Sequence, residues 1–224
     1  MFTGKLKKKL KKIGIGGIAG SGKSSICALL KDDSKYYILN LDELGHSFYE
    51  SADSPVYDEI VSVFGEKVQG LIIKDGADSG KINRKALGMY VFKNKDDISA
   101  LNDIFYKKFY DYVIKKAEEL NLMPEDSRPD YFIIDGAVLF HSGIDKLMDY
   151  TFWVDAPDSL IIQRLVNKRG MGLSYAREIL AMQKQMFDGC REKADFIIEN
   201  SETFEKLLEN FNIAIKGEIS KCVN

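Results

Sequence analysis

Short apolar runs bounded by turn-forming residues recur along the chain at Ile13–Ile18, Tyr36–Leu41, Tyr131–Ile134, Thr151–Val154 and Phe196–Ile198. Apolar positions at helical spacing fill most of the gaps between them, beginning with Ser24–Leu30. The pattern therefore predicts five strands alternating with helices. Such alternation builds an α/β fold: a five-stranded parallel sheet, helices on both faces, and ligands at the carboxyl ends of the strands. One gap breaks the rhythm. From about 54 to 121 the periodicity stays helical, through Val56–Phe64, Arg84–Phe92 and Asp97–Leu120, which predicts a helical insert within a single domain spanning 1–224. Two further interruptions follow, Leu122–Asp130 with its prolines and Gly170-Met171-Gly172 ahead of the helix Tyr175–Met186. The second of these marks a hinged pair of helices, a candidate lid over about 164–187.

Composition narrows the class. With 224 residues, 45% of them apolar, the chain can bury one sizeable core. A net charge of −2 supplies no general attraction to nucleic acid. The basic run Lys5–Lys12 reads as a solvated tail. No stretch approaches the length of a membrane span, and no signal-peptide pattern is visible, so the expectation is a cytoplasmic protein without membrane contacts, a monomer or weak homo-oligomer. Cys27, Cys190 and Cys222 are far apart and lack histidine partners at ligand spacing, which reads as reduced thiols holding no metal.

The strongest chemical signal is Gly17-Ile18-Ala19-Gly20-Ser21-Gly22-Lys23-Ser24, between the first strand and the first helix. It fits G-x-x-x-x-G-K-[ST], the phosphate-binding loop. Glycines let successive backbone N–H groups face phosphate oxygens, Lys23 reaches the β and γ phosphates, and the Ser24 hydroxyl can ligate Mg²⁺. Gly17, Ala19, Gly20, Ser21, Gly22, Lys23, Ser24 and Ser25 are thus the candidate ATP-binding set.

Two short matches point toward a GTPase, Asp42-Glu43-Leu44-Gly45 and Asn94-Lys95-Asp96-Asp97, and spacing rejects both. Only 19 positions separate Lys23 from Asp42, room for one helix and one strand but no switch loop and extra strand. Asn94 follows a helix rather than a buried strand, and there Asn94 or Asp96 serves as a helix cap. A loop, helix and strand ending in a carboxylate instead suits a small-molecule kinase, whose acceptor hydroxyl needs a base. Asp42 is that candidate base; its competing role is to cap the next helix. Asp135, ending the apolar run Tyr131–Ile134, is the candidate second Mg²⁺ group beside Ser24. Arg164 and Arg169, before the Gly170–Gly172 turn, are candidate lid cations over the transferring phosphoryl group.

Over about Lys12 to Leu208 the chain resembles the dephospho-coenzyme A kinase family. The resemblance rests on the loop, on Leu41-Asp42-Glu43-Leu44-Gly45-His46, and on Gly80-Lys81-Ile82-Asn83-Arg84-Lys85-Ala86-Leu87. It continues through Val154-Asp155-Ala156-Pro157, Gln163-Arg164-Leu165, Gln185-Met186 and Ala194-Asp195-Phe196-Ile197-Ile198-Glu199-Asn200. It implies phosphoryl transfer from MgATP to the 3′-hydroxyl of dephospho-coenzyme A. It further implies Asp42 at the acceptor hydroxyl, Arg84 in the acceptor-binding insert, and Asn200 near the adenine; His46, within the matched stretch, is a substrate-binding candidate with no assigned role. The chain departs from the family at Tyr106-Lys107, where a His-Pro pair is usual, at Ala137–His141, and at Phe187 where a proline is usual. Tyr106 and His141 are therefore the acceptor-side contacts that differ. The alternatives left open are a nucleoside kinase of the uridine type on the same fold and a non-catalytic nucleotide-binding regulator.

Overall fold

The computed structural model describes residues 9–50 and 54–221, the side chains of Phe204 and 216–221 excepted. Lys5 to Lys8 and Cys222 lie outside the described residues. Five strands form one parallel sheet in the order β2-β3-β1-β4-β5: β1 (Lys11–Gly16), β2 (Tyr36–Asn40), β3 (Tyr131–Asp135), β4 (Tyr150–Asp155) and β5 (Phe196–Glu199). Parallel neighbours need crossovers, and helices supply them. These are α1 (Lys23–Leu30), α2 (Leu41–Ser47), α3 (Tyr57–Phe64), α4 (Arg84–Val91), α5 (Lys95–Leu122), α6 (Asp158–Arg169), α7 (Leu173–Met186), α8 (Cys190–Lys193) and α9 (Phe204–Lys221).

All five apolar runs became strands, with one shift of register at the start. β1 begins at Lys11, which pairs with Tyr131, and Lys12 pairs with Phe132. The Lys12 N–H also donates to Asp149 Oδ2 at 2.7 Å, and Leu10 is buried. The inner end of the basic run is therefore strand and not tail. Ladder hydrogen bonds use the backbone, so a lysine with its stem along the sheet satisfies them as well as an isoleucine does. At its other end β1 stops at Gly16, because Gly17 takes a φ of 146°.

Strand alternation divides the sheet into two faces. On one, Ile13, Ile15, Ile133, Phe152, Val154 and Ile198 pack with Ile26 and Leu30 of α1 and with Leu207, Phe211 and Ile215 of α9. On the other, β1 offers Lys12, Gly14 and Gly16, and Leu139 and Phe140 lie directly against the two glycines.

The chain divides into two compact units. The larger comprises the residues up to Leu39 and those from Ala117 onward, and carries the sheet and the loop. The smaller runs from Asn40 to Lys116. It is helical and includes α2: Gly45 lies against Phe109 of α5, and Phe48 stacks on Phe109 at 5.7 Å. Ile60, Phe64, Leu87, Val91 and Val113 complete its apolar interior. An isolated antiparallel bridge, Ile72 with Ile82, closes the segment before α4.

Candidate active site

Residues 17–22 turn the chain from β1 into α1. Gly17, Gly20 and Gly22 hold φ angles of 146°, 84° and 112°, conformations strained for any L side chain. At Gly22 a Cβ would also collide with Nδ2 of Asn200. Lys23, the first residue of α1, is buried, whereas Ser24 is exposed and Ser25 half-buried. α1 has no side-chain cap, so its first N–H groups remain available for an anion. A cleft of about 160 Å³ opens there, lined by Ala19, Gly20, Gly22, Lys23, Ser24 and Ser25 of the loop and by Arg164, Lys168 and Arg169 of α6.

A clamp holds the loop from behind. Arg164 Nη1 donates to the carbonyls of Gly20 at 3.1 Å and Ser21 at 3.2 Å, and its Nη2 donates to the backbone and side-chain oxygens of Asn200, both at 3.3 Å. Asn200 Nδ2 in turn donates to the Ser21 carbonyl at 2.6 Å. Asn200 is buried, and burial lowers the pKa of the Arg164 guanidinium. This arrangement differs from the expected lid cation: Arg164 is bonded to the loop's own carbonyls and fixes their direction, which turns the opposite N–H groups toward the cleft. Arg169, at the exposed end of α6, and Lys168 before it are the cations that face the cleft without that constraint.

Asp135 ends β3 as expected and is buried. Its side chain interacts with Cys27, whose thiol pKa is pushed far up by burial and then by the Asp135 charge, so Cys27 stays protonated. The Oδ1 atom of Asp135 is nevertheless buried and takes no hydrogen bond. A buried carboxylate oxygen left in that state is costly, and a cation is the ligand that relieves it. The buried Asp135 oxygen thus fits a hard ion such as Mg²⁺, which takes few protein ligands. Among the described residues no cluster of three or more acidic, His or Cys side chains forms a metal site by itself.

In the smaller unit, Asn40 caps α2, its Oδ1 accepting from the N–H groups of Asp42 and Glu43, both at 2.9 Å. The cap role is thus filled by Asn40, and the Asp42 carboxylate stays exposed in the first turn. His46 follows four residues later, on the same side of the helix. Arg84, the first residue of α4, lies over the ring of Tyr49 at 5.2 Å. Burial pushes the Tyr49 phenol up to about 12, so it stays neutral beneath the guanidinium. Tyr106 is half-buried on α5. Asn94 caps α5 through the Asp96 N–H at 3.0 Å, which confirms that Asn94–Asp97 is a helix start and not a guanine-reading motif.

A family model described as dephospho-CoA kinase matches residues 11–206. The chain belongs to the dephospho-CoA kinase family. A dephospho-CoA kinase of Aquifex aeolicus is 31% identical over 88% of this chain and 92% of its own length. One from Saccharomyces cerevisiae is 28% identical over 91% of this chain and 81% of its own length. The solved dephospho-CoA kinase of Campylobacter jejuni shares the fold, with a TM-score of 0.61 at 21% identity, over 95% of this chain and 98% of that one. Membership in the dephospho-CoA kinase family makes the chain an ATP-dependent kinase. It also removes the reason for preferring a nucleoside kinase or a non-catalytic regulator.

Within this family frame the departures find definite places. His141 lies in the larger unit, its ring 5.3 Å from that of Phe187 and its Nδ1 3.9 Å from Cys190 Sγ, and burial followed by the Lys193 charge lowers its pKa. Two polar residues that bond the backbone of the loop or of α2 are absent from the sequence reading, Gln183 and Asn40. Asn40 was visible in principle, since an Asn two residues before an acidic pair is a cap signal. Gln183 had no signal, because its partner is the Ala19 N–H, 164 positions away.

Proposed function

We propose that this chain transfers the γ-phosphoryl group of ATP to the 3′-hydroxyl of dephospho-coenzyme A, with the acceptor held by the smaller unit. The observation that carries the reading is the clamped loop with Lys23 buried at its exit, in a chain matched by its family model from 11 to 206. Gly20 to Ser25 cradle the phosphates through backbone N–H groups, and Lys23 meets the β and γ oxygens. Ser24 and Asp135 would hold Mg²⁺, which when bound neutralises charge that develops on the transferring group. Arg164 and Asn200 act as positioning residues for the loop. Lys168 and Arg169 supply positive charge on its open side and help exclude water.

Asp42 is the base. Its carboxylate accepts the proton of the attacking hydroxyl, the new bond forms between that oxygen and the γ phosphorus, and the bond to the β-phosphate oxygen breaks in line, releasing ADP. Arg84, kept flat over Tyr49, meets the acceptor's phosphate charge. The free, buried thiols Cys27 and Cys190 support a reducing, cytoplasmic setting. Coupled ADP release with dephospho-coenzyme A against a panel of nucleosides tests the proposal. Turnover with dephospho-coenzyme A well above the rate of ATP hydrolysis by water is the expected result, and turnover with a nucleoside alone would refute it.

A further inference from the structure

The N–H of Ala19, midway round the loop, is already engaged: it donates to Oε1 of Gln183 at 2.7 Å. A backbone N–H can only donate, so the carboxamide must present its oxygen there, and its two Nε2 hydrogens point elsewhere. Gln183 is half-buried in the last turn of α7. The next residue, Lys184, pairs with Asp158 Oδ2 at 2.7 Å and ties α7 to the start of α6. Two cavities meet here. Ala19 lines the phosphate cleft, Lys184 lines a larger cavity of about 410 Å³ with Trp153, Asp155 and Arg191, and Ile18 lines both.

The backbone N–H groups of the loop and of the start of α1 are the ones that hold phosphate oxygens. Ala19 lies at the upstream edge of that set, next to Ile18, which lines both cavities. A glutamine suits that place for two reasons. It is neutral and does not repel the anion, and it both accepts and donates, so its partner can change without leaving a polar atom unsatisfied.

We propose that Gln183 is a positioning residue for the γ-phosphoryl group. Its Oε1 occupies the Ala19 N–H while that group is absent, and its Nε2 donates to a γ-phosphate oxygen once that oxygen has taken the amide. The lid helix is thereby engaged by ATP and not by ADP. This rests on reading the loop as a triphosphate site.

Equilibrium binding of ADP and of a non-hydrolysable ATP analogue to Gln183→Glu and Gln183→Ala tests it. A carboxylate in place of the carboxamide should weaken the ATP analogue by about tenfold and leave ADP within about twofold of the wild type, since only the γ-phosphate meets the new charge. Unaltered ADP affinity also shows that the variant is folded. Equal shifts for the two nucleotides while both still bind, or no shift for either, would overturn the proposal. If Gln183→Glu loses ADP binding too, Gln183→Ala decides: a selective loss of the ATP analogue supports the role, and a wild-type ratio of affinities overturns it. Failure of the wild-type chain to bind either nucleotide would overturn the reading of the loop instead.

Discussion

At the scale of single residues the candidate chemistry divides by how far each partner lies in the chain. Lys23, Ser24, Asp42 and Asp135 are candidates from the sequence alone because phosphate and hydroxyl chemistry calls for those residue types in short motifs, whatever surrounds them. The sequence left Asp42 between base and helix cap; the cap is filled by Asn40. The Asp42 carboxylate is exposed in the first turn of α2. Replacement Asp42→Asn should therefore keep α2 and nucleotide binding intact while lowering kcat by about 10²–10⁴-fold. Lys23→Ala should instead weaken nucleotide binding itself. Rate measurements at saturating ATP alongside nucleotide titration separate the two, and near-normal turnover in Asp42→Asn would leave it without a catalytic role.

At the scale of elements, strand and helix positions followed the apolar periodicity closely, and the errors lie at ends. β1 starts at Lys11 rather than Ile13 because pairing with Tyr131 and Phe132 decides where a strand begins, and pairing is a long-range fact. β2 ends at Asn40, one residue before the expected Leu41, because the Asn40 side chain nucleates α2. That cap is a local device with a distant effect, since it orients the helix that carries Asp42. Asn40→Ala should cost about 1 kcal/mol of stability, the usual worth of an N-cap. It should also lower kcat more than it raises the KM for ATP. Thermal melting together with steady-state kinetics reads both effects, and an unchanged kcat with a lowered Tm would confine Asn40 to stability.

For the molecule as a whole, ligand linkage offers the broadest test. Nucleotide at about 100 times its Kd should stabilise the folded chain by about 2.7 kcal/mol. For a chain of this size that corresponds to a rise of about 5–11 °C in the unfolding transition. Differential scanning calorimetry with and without MgATP measures it, and an unmoved transition would contradict a formed phosphate site. The sequence by itself determined the α/β class, the loop between β1 and α1 and the carboxylate that ends β3, since each is written in local periodicity or in a short motif whose chemistry is self-contained. Only the tertiary structure decided that Arg164 and Asn200 clamp the loop, that Gln183 occupies the Ala19 amide, and that α2 belongs with the helices from Tyr57 onward. Those contacts join residues tens to more than a hundred positions apart, and a polar side chain carries no local mark of which distant backbone group it will satisfy.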